Sequence, residues 1–189
     1  MALLRGNLHA HTTFSDGTKT PAALVEEYER RGYDFLAITD HFGHDNLVQP
    51  GYTAALNALA PSLVLFRGVE LDYGRFAQHV GRVQGDTETL YILNHPARYR
   101  LSVDETVDRV HEIRRAGWPL EAIEVTDTGL YRPLYDTSEI PLVKLATDDA
   151  HRPPHFGRAW IEVDAARARD AIIRAIRAGD FRLGFAEAT

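Results

Sequence analysis

The sequence predicts an α/β fold with mostly parallel strands, and three observations predict it. Apolar runs of strand length recur at residues 33–39, 63–69, 90–93, 122–125, 142–146 and 160–163. Amphipathic stretches of helical length stand between several of them, and that alternation is the pattern of strand–helix–strand units. The third observation concerns where the runs stop. Most of them end in His, Asp or Glu, and in α/β folds chemistry gathers at the C-terminal edge of the strands.

Taken in order, the chain first offers Asn7-Leu8-His9-Ala10-His11. Extended residues alternate faces, so His9 and His11 point one way while Leu8 and Ala10 point the other. Ser15-Asp16-Gly17 then turns the chain. Residues 21–31 read as a helix, with Thr20 as its cap, Pro21 in its first turn, an apolar stripe of Leu24, Val25 and Tyr28, and Gly32 at its end. The strand at 33–39 leads into Asp40-His41, a helix covers 51–60, and the strand at 63–69 leads into Glu70. A weaker strand at 76–83 carries His79, and the short run 90–93 ends in Asn94-His95-Pro96. Ser102 with Glu105 three residues on forms a capping-box pattern, which predicts a helix to about Ala116 before Gly117. Strands at 122–125 and 142–146 follow, the second leading into Asp149-Ala150-His151, then a strand at 160–163 and a helix over 165–178. No repeat, low-complexity tract or linker interrupts the chain, so residues 1–189 are expected to form one domain.

Composition narrows the chemistry. The 189 residues are 44% hydrophobic and 25% charged, as in an ordinary globular protein. A formal charge of -6 argues against a surface built to coat nucleic acid. With no cysteine there is no disulfide, thiolate zinc site or cysteine nucleophile, so metal chemistry has to come from His, Asp and Glu. No apolar run approaches the roughly 20 residues of a membrane span, and too few residues precede the first strand for a signal peptide. A cytoplasmic protein is the expectation.

The residues at the strand ends, His9, His11, His41, Glu70, His95, Asp149 and His151, form a nitrogen and oxygen donor set suited to zinc, manganese or iron. They outnumber what one ion with an open position takes, which implies two or three divalent transition-metal ions with a carboxylate such as Glu70 bridging. Ions about 3.5–4 Å apart suit in-line displacement at phosphorus.

These motifs, in this order, resemble the PHP (polymerase and histidinol phosphatase) family. His9, His11 and Asp16 match its HxH…D opening, and Thr39-Asp40-His41 its TDH. Gly68-Val69-Glu70 matches GxE, His79 the isolated histidine, His95-Pro96 the His-Pro pair and Asp149-Ala150-His151 the terminal DxH. The resemblance implies a distorted seven-stranded (β/α) barrel and a trinuclear metal site. It implies one ion at His9, His11, Glu70 and Asp149, a second at Glu70, His79 and His95, and a third at Asp16, His41 and His151. One departure is Thr147-Asp148, where the family has a small Gly-Ser pair. Only Asp149 keeps the spacing to His151, and a buried Asp148 has to be paired or protonated.

The function expected is hydrolysis of a small phosphate ester, such as a nucleotide or sugar phosphate, by a metal-bridging hydroxide, with Glu70 and Asp149 as the catalytic carboxylates. Arg98 and Arg158 are candidate phosphate contacts, since the guanidinium fork suits phosphate. Two alternatives are a nuclease acting on nucleic-acid ends and a metal-binding module without turnover. Asp40 is expected to orient an imidazole, and Glu124 either to do the same or to face solvent. His44 and His155 lie in loops near the site, and His111 reads as a solvated helix residue. The segment Leu130-Tyr131-Arg132-Pro133-Leu134-Tyr135 can either stack on a nucleobase or pack its own loop.

Overall fold

Strand β1 (Leu3–Asn7) begins the computed structural model, which describes residues 3–74 and 76–187. Helix α1 (Pro21–Arg30) starts where the Thr20 hydroxyl accepts the Ala23 N–H, with Pro21 in the first turn, and buries Leu24, Val25 and Tyr28. Strand β2 (Phe35–Ile38), helix α2 (Tyr52–Asn57) and strand β3 (Val64–Tyr73) follow. β3 is longer than its apolar run, so Glu70 lies inside the strand rather than beyond it. β4 (Gln78–Gln84) and β5 (Thr89–Leu93) come next, and then α3 (Val103–Arg115), which opens on the capping box of Ser102 and Glu105. β6 (Leu120–Glu124) leads to a small hairpin of β7 (Thr126–Asp127) and β8 (Leu130–Tyr131). β9 (Val143–Leu145), β10 (Ala159–Asp164), α4 (Arg169–Ala178) and β11 (Phe181–Phe185) complete the order.

The main sheet has nine strands in the order β11-β10-β1-β2-β3-β4-β5-β6-β9. Two corrections to the expectation follow. Half of the pairings are antiparallel, because four-residue links join β3 to β4 and β4 to β5, too short for a helical crossover. And the strand count is nine, because β10 and β11 extend the sheet antiparallel from the free side of β1. The run from β1 to β9 contains seven strands and curls back on itself. Past the ends of β1 and β9, Ala10 pairs with Ala150 in a parallel bridge, and the His11 N–H donates to the Ala150 carbonyl at 2.9 Å. The barrel class is as expected.

One core cluster draws on every strand of that run, including Leu4, Phe35, Phe66, Ile92, Ala122 and Leu145, and α4 lays Ile172, Ile173 and Ile176 against it. Each fully buried isoleucine contributes about 1.5–3 kcal/mol. α1 and α2 cover a second cluster and α3 a third. Gly6 permits the first strand crossing, since a Cβ there would fall 2.1 Å from the Phe35 ring. Backbone pairing continues past the strands at the edge where Ala10 meets Ala150: the Thr39 N–H donates to the Ala10 carbonyl, and His41 bridges Glu70. That edge is where the polar residues collect. Among the described residues, no helix is long and apolar enough to cross a membrane.

Candidate metal centre

His9 and His11 leave β1 on the same face, both buried, with their Nε2 atoms 3.0 Å apart. His9 Nδ1–H donates to Glu124 Oε1 at 2.7 Å, which leaves Nε2 to face the cluster. Glu124 is held in turn by the Thr147 hydroxyl and the His95 backbone N–H. Of its two readings, Glu124 takes the buried one, as the carboxylate that orients an imidazole.

Glu70 stands at the middle. Its Oε1 lies 3.0 Å from His95 Nε2, 3.2 Å from His79 Nδ1 and 3.3 Å from His9 Nε2. Its Oε2 lies 3.2 Å from His41 Nδ1 and 3.5 Å from His11 Nε2. Asp149 Oδ1 approaches His11 Nε2 at 3.3 Å and His9 Nε2 at 3.4 Å, while Oδ2 accepts from Arg98. Asp16, at the rim, has Oδ1 3.2 Å from His41 Nε2 and Oδ2 3.2 Å from His151 Nε2. The His151 Nδ1–H is tied to the Asp149 carbonyl at 2.9 Å, which turns Nε2 toward Asp16. All nine residues of the expected ligand set therefore meet in one place. His41 differs in one respect, since it spans Asp16 and Glu70 instead of serving Asp16 alone.

The electrostatics are those of interleaved imidazoles and carboxylates. Burial disfavours a charged His9, but Glu124, Glu70 and Asp149 outweigh it and raise His9 well above its ordinary 6.5. Burial wins at His11 and lowers it. His41 and His151 are raised against their burial, in each case most strongly by Asp16. Burial opposes ionisation of Glu70 and Asp149 too, yet the histidines, His9 foremost, hold both well below the usual carboxylate range. Asp16 is likewise held low by His151 and His41.

The donor set fits divalent cations. Donor atoms of His11, Asp16, His41 and His151 lie within 4.8 Å of one another, as do those of His9, His11 and Glu70 and of His41, Glu70 and His79. Glu70 Oε2, Asp149 Oδ1 and His79 Nδ1 are buried without a hydrogen-bond partner. An unsatisfied buried polar atom costs about 1–3 kcal/mol, which a coordinated ion would offset. His95 and Asp149 also hold left-handed backbone, with φ of 25° and 45°, a strain typical of sites that surroundings over-determine.

Other sequence candidates fall variously. Arg98 reaches the rim, bonded to Asp149 and 3.7 Å from Asp127. Arg158 donates to the Thr128 carbonyl at 3.0 Å and, among the described residues, makes no polar contact with the nine. Asp40 orients no imidazole. It accepts the Thr12 N–H and the Thr12 and Ser15 hydroxyls, so it shapes the turn that presents Asp16. Asp148 faces away from the cluster, and burial pushes its carboxyl up to about 6. His155 Nε2 accepts from Arg152 at 3.1 Å, its Nδ1 lies 3.3 Å from the His151 backbone nitrogen, and His111 is exposed on α3. Tyr135 is buried and anchors the loop through its hydroxyl on the Leu101 carbonyl, while Tyr131 is exposed, bonds Asp136 within the loop and sets its ring against Phe185. That loop forms one wall of a cavity of about 410 Å³ lined by Ala97, Asp127, Arg132, Pro133, Leu134 and Tyr135.

Asp72 was not foreseen. It holds His79 Nε2 at 3.2 Å and the exposed His44 Nδ1 at 2.6 Å. Its signal was the i, i+2 spacing from Glu70 on one strand, which puts both carboxylates on one face.

A two-domain protein from Bacteroides vulgatus, containing a predicted PHP-like metal-dependent phosphoesterase, superposes with a TM-score of 0.78 at 21% identity. The match covers 97% of this chain and 65% of that one, so this chain spans less than two thirds of its length. An amidohydrolase from Chromobacterium violaceum, with bound sulfate and no metal, gives a TM-score of 0.62 at 16% identity over 96% of this chain and 98% of its own. At such identities the two show the fold alone. The DNA polymerase/3'-5' exonuclease PolX of Bacillus subtilis is 34% identical over 80 residues, 36% of this chain and 14% of the polymerase. The description PHP domain matches residues 7–178, a stretch that holds all nine clustered side chains. The chain belongs to the PHP domain family.

Proposed function

We propose that this protein is a metal-dependent phosphoesterase that hydrolyses a small phosphate monoester at two or three clustered divalent ions. The observation that carries the reading is Glu70, a buried carboxylate in reach of five imidazoles, one of whose oxygens accepts no hydrogen bond. In this reading His9, His11, Glu70 and Asp149 hold one zinc, manganese or iron ion. Glu70, His79 and His95 hold a second, and Asp16, His41 and His151 a third. Bound divalent ions supply a water acidified enough to attack at neutral pH and positive charge against the phosphate oxygens.

The rest falls to the chain's own side chains. Glu124 and Asp72 fix the rings of His9 and His79. Arg98 is half-exposed at the rim, and the donors not engaged by Asp149 are available to a phosphate oxygen. Arg158 uses one donor on Thr128 and keeps the others for a ligand beside that hairpin. The cavity at Asp127, Arg132 and Leu134 takes the leaving alcohol. A single domain working in the cytoplasm completes the reading.

The partial likeness to a polymerase/exonuclease favours a second reading, a nuclease on nucleic-acid ends. The charge of -6 favours the small ester, because a polyanion binds through many cationic contacts. The test is a panel of p-nitrophenyl phosphate, nucleoside monophosphates, sugar phosphates and labelled oligonucleotides, run on chelated protein and after zinc or manganese add-back. The small-ester reading predicts hydrolysis of monoesters that chelation abolishes and metal restores. Cleavage of oligonucleotides alone would establish the nuclease, and bound metal without any turnover would leave a binding module. Full activity in chelated protein contradicts all three.

A further inference from the structure

Behind the cluster lie three fully buried polar side chains that the proposed chemistry does not use, Asn7, Tyr28 and Asp148. They form one hydrogen-bonded chain whose polarity is fixed. Asn7 Nδ2 donates to the His9 carbonyl at 2.9 Å and to the Tyr28 hydroxyl oxygen at 3.0 Å. The Tyr28 hydroxyl donates to Asp148 Oδ2 at 2.7 Å, and the N–H groups of Gly157 and Ala159 also donate to that carboxylate, at 2.7 and 2.8 Å. In the other direction Asn7 Oδ1 accepts the Asp148 N–H at 3.0 Å.

Asn7 thus grips the backbones of both segments that bring His9 and Asp149 together. Direct pairing between those segments comes after His9 and Asp149: the His11 N–H donates to the Ala150 carbonyl at 2.9 Å, and the Ala150 N–H reaches the His9 carbonyl at 3.4 Å. Asp149 moreover sits at φ 45°, a conformation that persists in a non-glycine residue only where neighbours impose it. Asp148 is pinned through its N–H and through both carboxylate oxygens, immediately before that strained residue.

We infer that Asn7, Tyr28 and Asp148 are positioning residues for the metal centre. They set the approach of Asp149 Oδ1 to the Nε2 atoms of His9 and His11. The inference rests on the cluster's binding metal, not on turnover. Asn7 has to be an amide, because both the His9 carbonyl and the Tyr28 oxygen require a donor, and the negative charge of the chain is confined to Asp148.

Tyr28→Phe tests this. It keeps the ring that packs on Tyr33 and Phe156 and removes the hydroxyl that joins the Asn7 amide to the Asp148 carboxylate, leaving the Asp148 N–H on Asn7 Oδ1. Tyr135→Phe is the matched control, another buried tyrosine whose hydroxyl serves a backbone carbonyl away from the cluster. Metal-stripped full chain is titrated with cobalt(II) by calorimetry and by visible absorption, with Tm recorded for each variant. Tyr28→Phe should weaken cobalt binding about tenfold and alter the visible bands, while Tyr135→Phe stays within about twofold. Equal affinity loss in the two variants, or none in Tyr28→Phe, overturns the inference. If Tyr28→Phe does not fold, Asn7→Asp, of the same shape but opposed to the His9 carbonyl, should show the same loss by the same readouts. Wild-type protein that takes up no cobalt overturns the metal reading itself, and this inference with it.

Discussion

Replacing Glu70 with glutamine is expected to lower turnover on p-nitrophenyl phosphate by about three orders of magnitude, because it removes the carboxylate that, among the described residues, His9, His11, His41, His79 and His95 share. The amide has the same shape, so the packing around β3 is kept. Its charge is gone, and one of its two ends becomes a donor that faces imidazole nitrogens. The Asn94 amide now donates to Glu70 Oε1 at 2.8 Å, which limits how the new side chain can turn. Metal content measured on the same preparation should fall with activity, while the far-ultraviolet dichroism remains that of the wild type. Activity above a tenth of the wild type would show that Glu70 bridges nothing.

The second large effect is on stability, and its sign follows from the histidines. In the metal-free protein His9, His41 and His151 are raised above 6.5 by neighbouring carboxylates. Those ion pairs stabilise the metal-free fold fully below pH 6.5 and are lost as pH rises through the raised values. The low-lying Asp16, Glu70 and Asp149 contribute above the ordinary carboxylate range and lose their contribution only in strong acid. Divalent ions need the same histidines neutral, so protons and metal compete. At a free ion concentration a hundred times Kd, one ion adds about 2.7 kcal/mol, or roughly 5–11 °C in Tm for a chain of this size. Zinc should therefore raise Tm by at least that much at pH 8 and by less than half as much at pH 5.5. Scanning calorimetry with and without zinc at the two pH values reads this directly. Equal shifts would place the ions on groups that do not titrate between them.

Much of the site was legible because its signals are local. His9-Ala10-His11 stays extended beyond β1, so the alternation that aims both imidazoles one way survives although the strand itself ends at Asn7. The capping box at Ser102 and Glu105 and the Thr20 cap are likewise short-range, and both helices begin where those residues place them. The direction of the strands was less legible. The links after Tyr73 and Gln84 are short, but a reading that strings strands and helices in alternation treats them as crossovers. β11 shows strict alternation of Phe181, Leu183 and Phe185 on the sheet's edge, the first two half-buried and Phe185 exposed. The β7–β8 hairpin turns at Thr128, with φ of 50°, and Gly129.

The polar partners were hardest to place, because each depends on residues far apart in sequence. Asp40 lies beside a histidine in the chain but serves the turn at Thr12 and Ser15. Glu124 is 115 positions from the His9 ring it orients, and Asp148 is 120 from the tyrosine that donates to it. Residue type announced a carboxylate at each position. Only the closure of the barrel through Ala10 and Ala150 decides which of them face the centre.

The most direct measurement is anomalous scattering from crystals grown with zinc or manganese and soaked with phosphate. Separate peaks are expected at His9, His11, Glu70 and Asp149, at Glu70, His79 and His95, and at Asp16, His41 and His151, with phosphate against them and in reach of Arg98. Loaded crystals with no anomalous peak among these nine side chains would contradict that expectation.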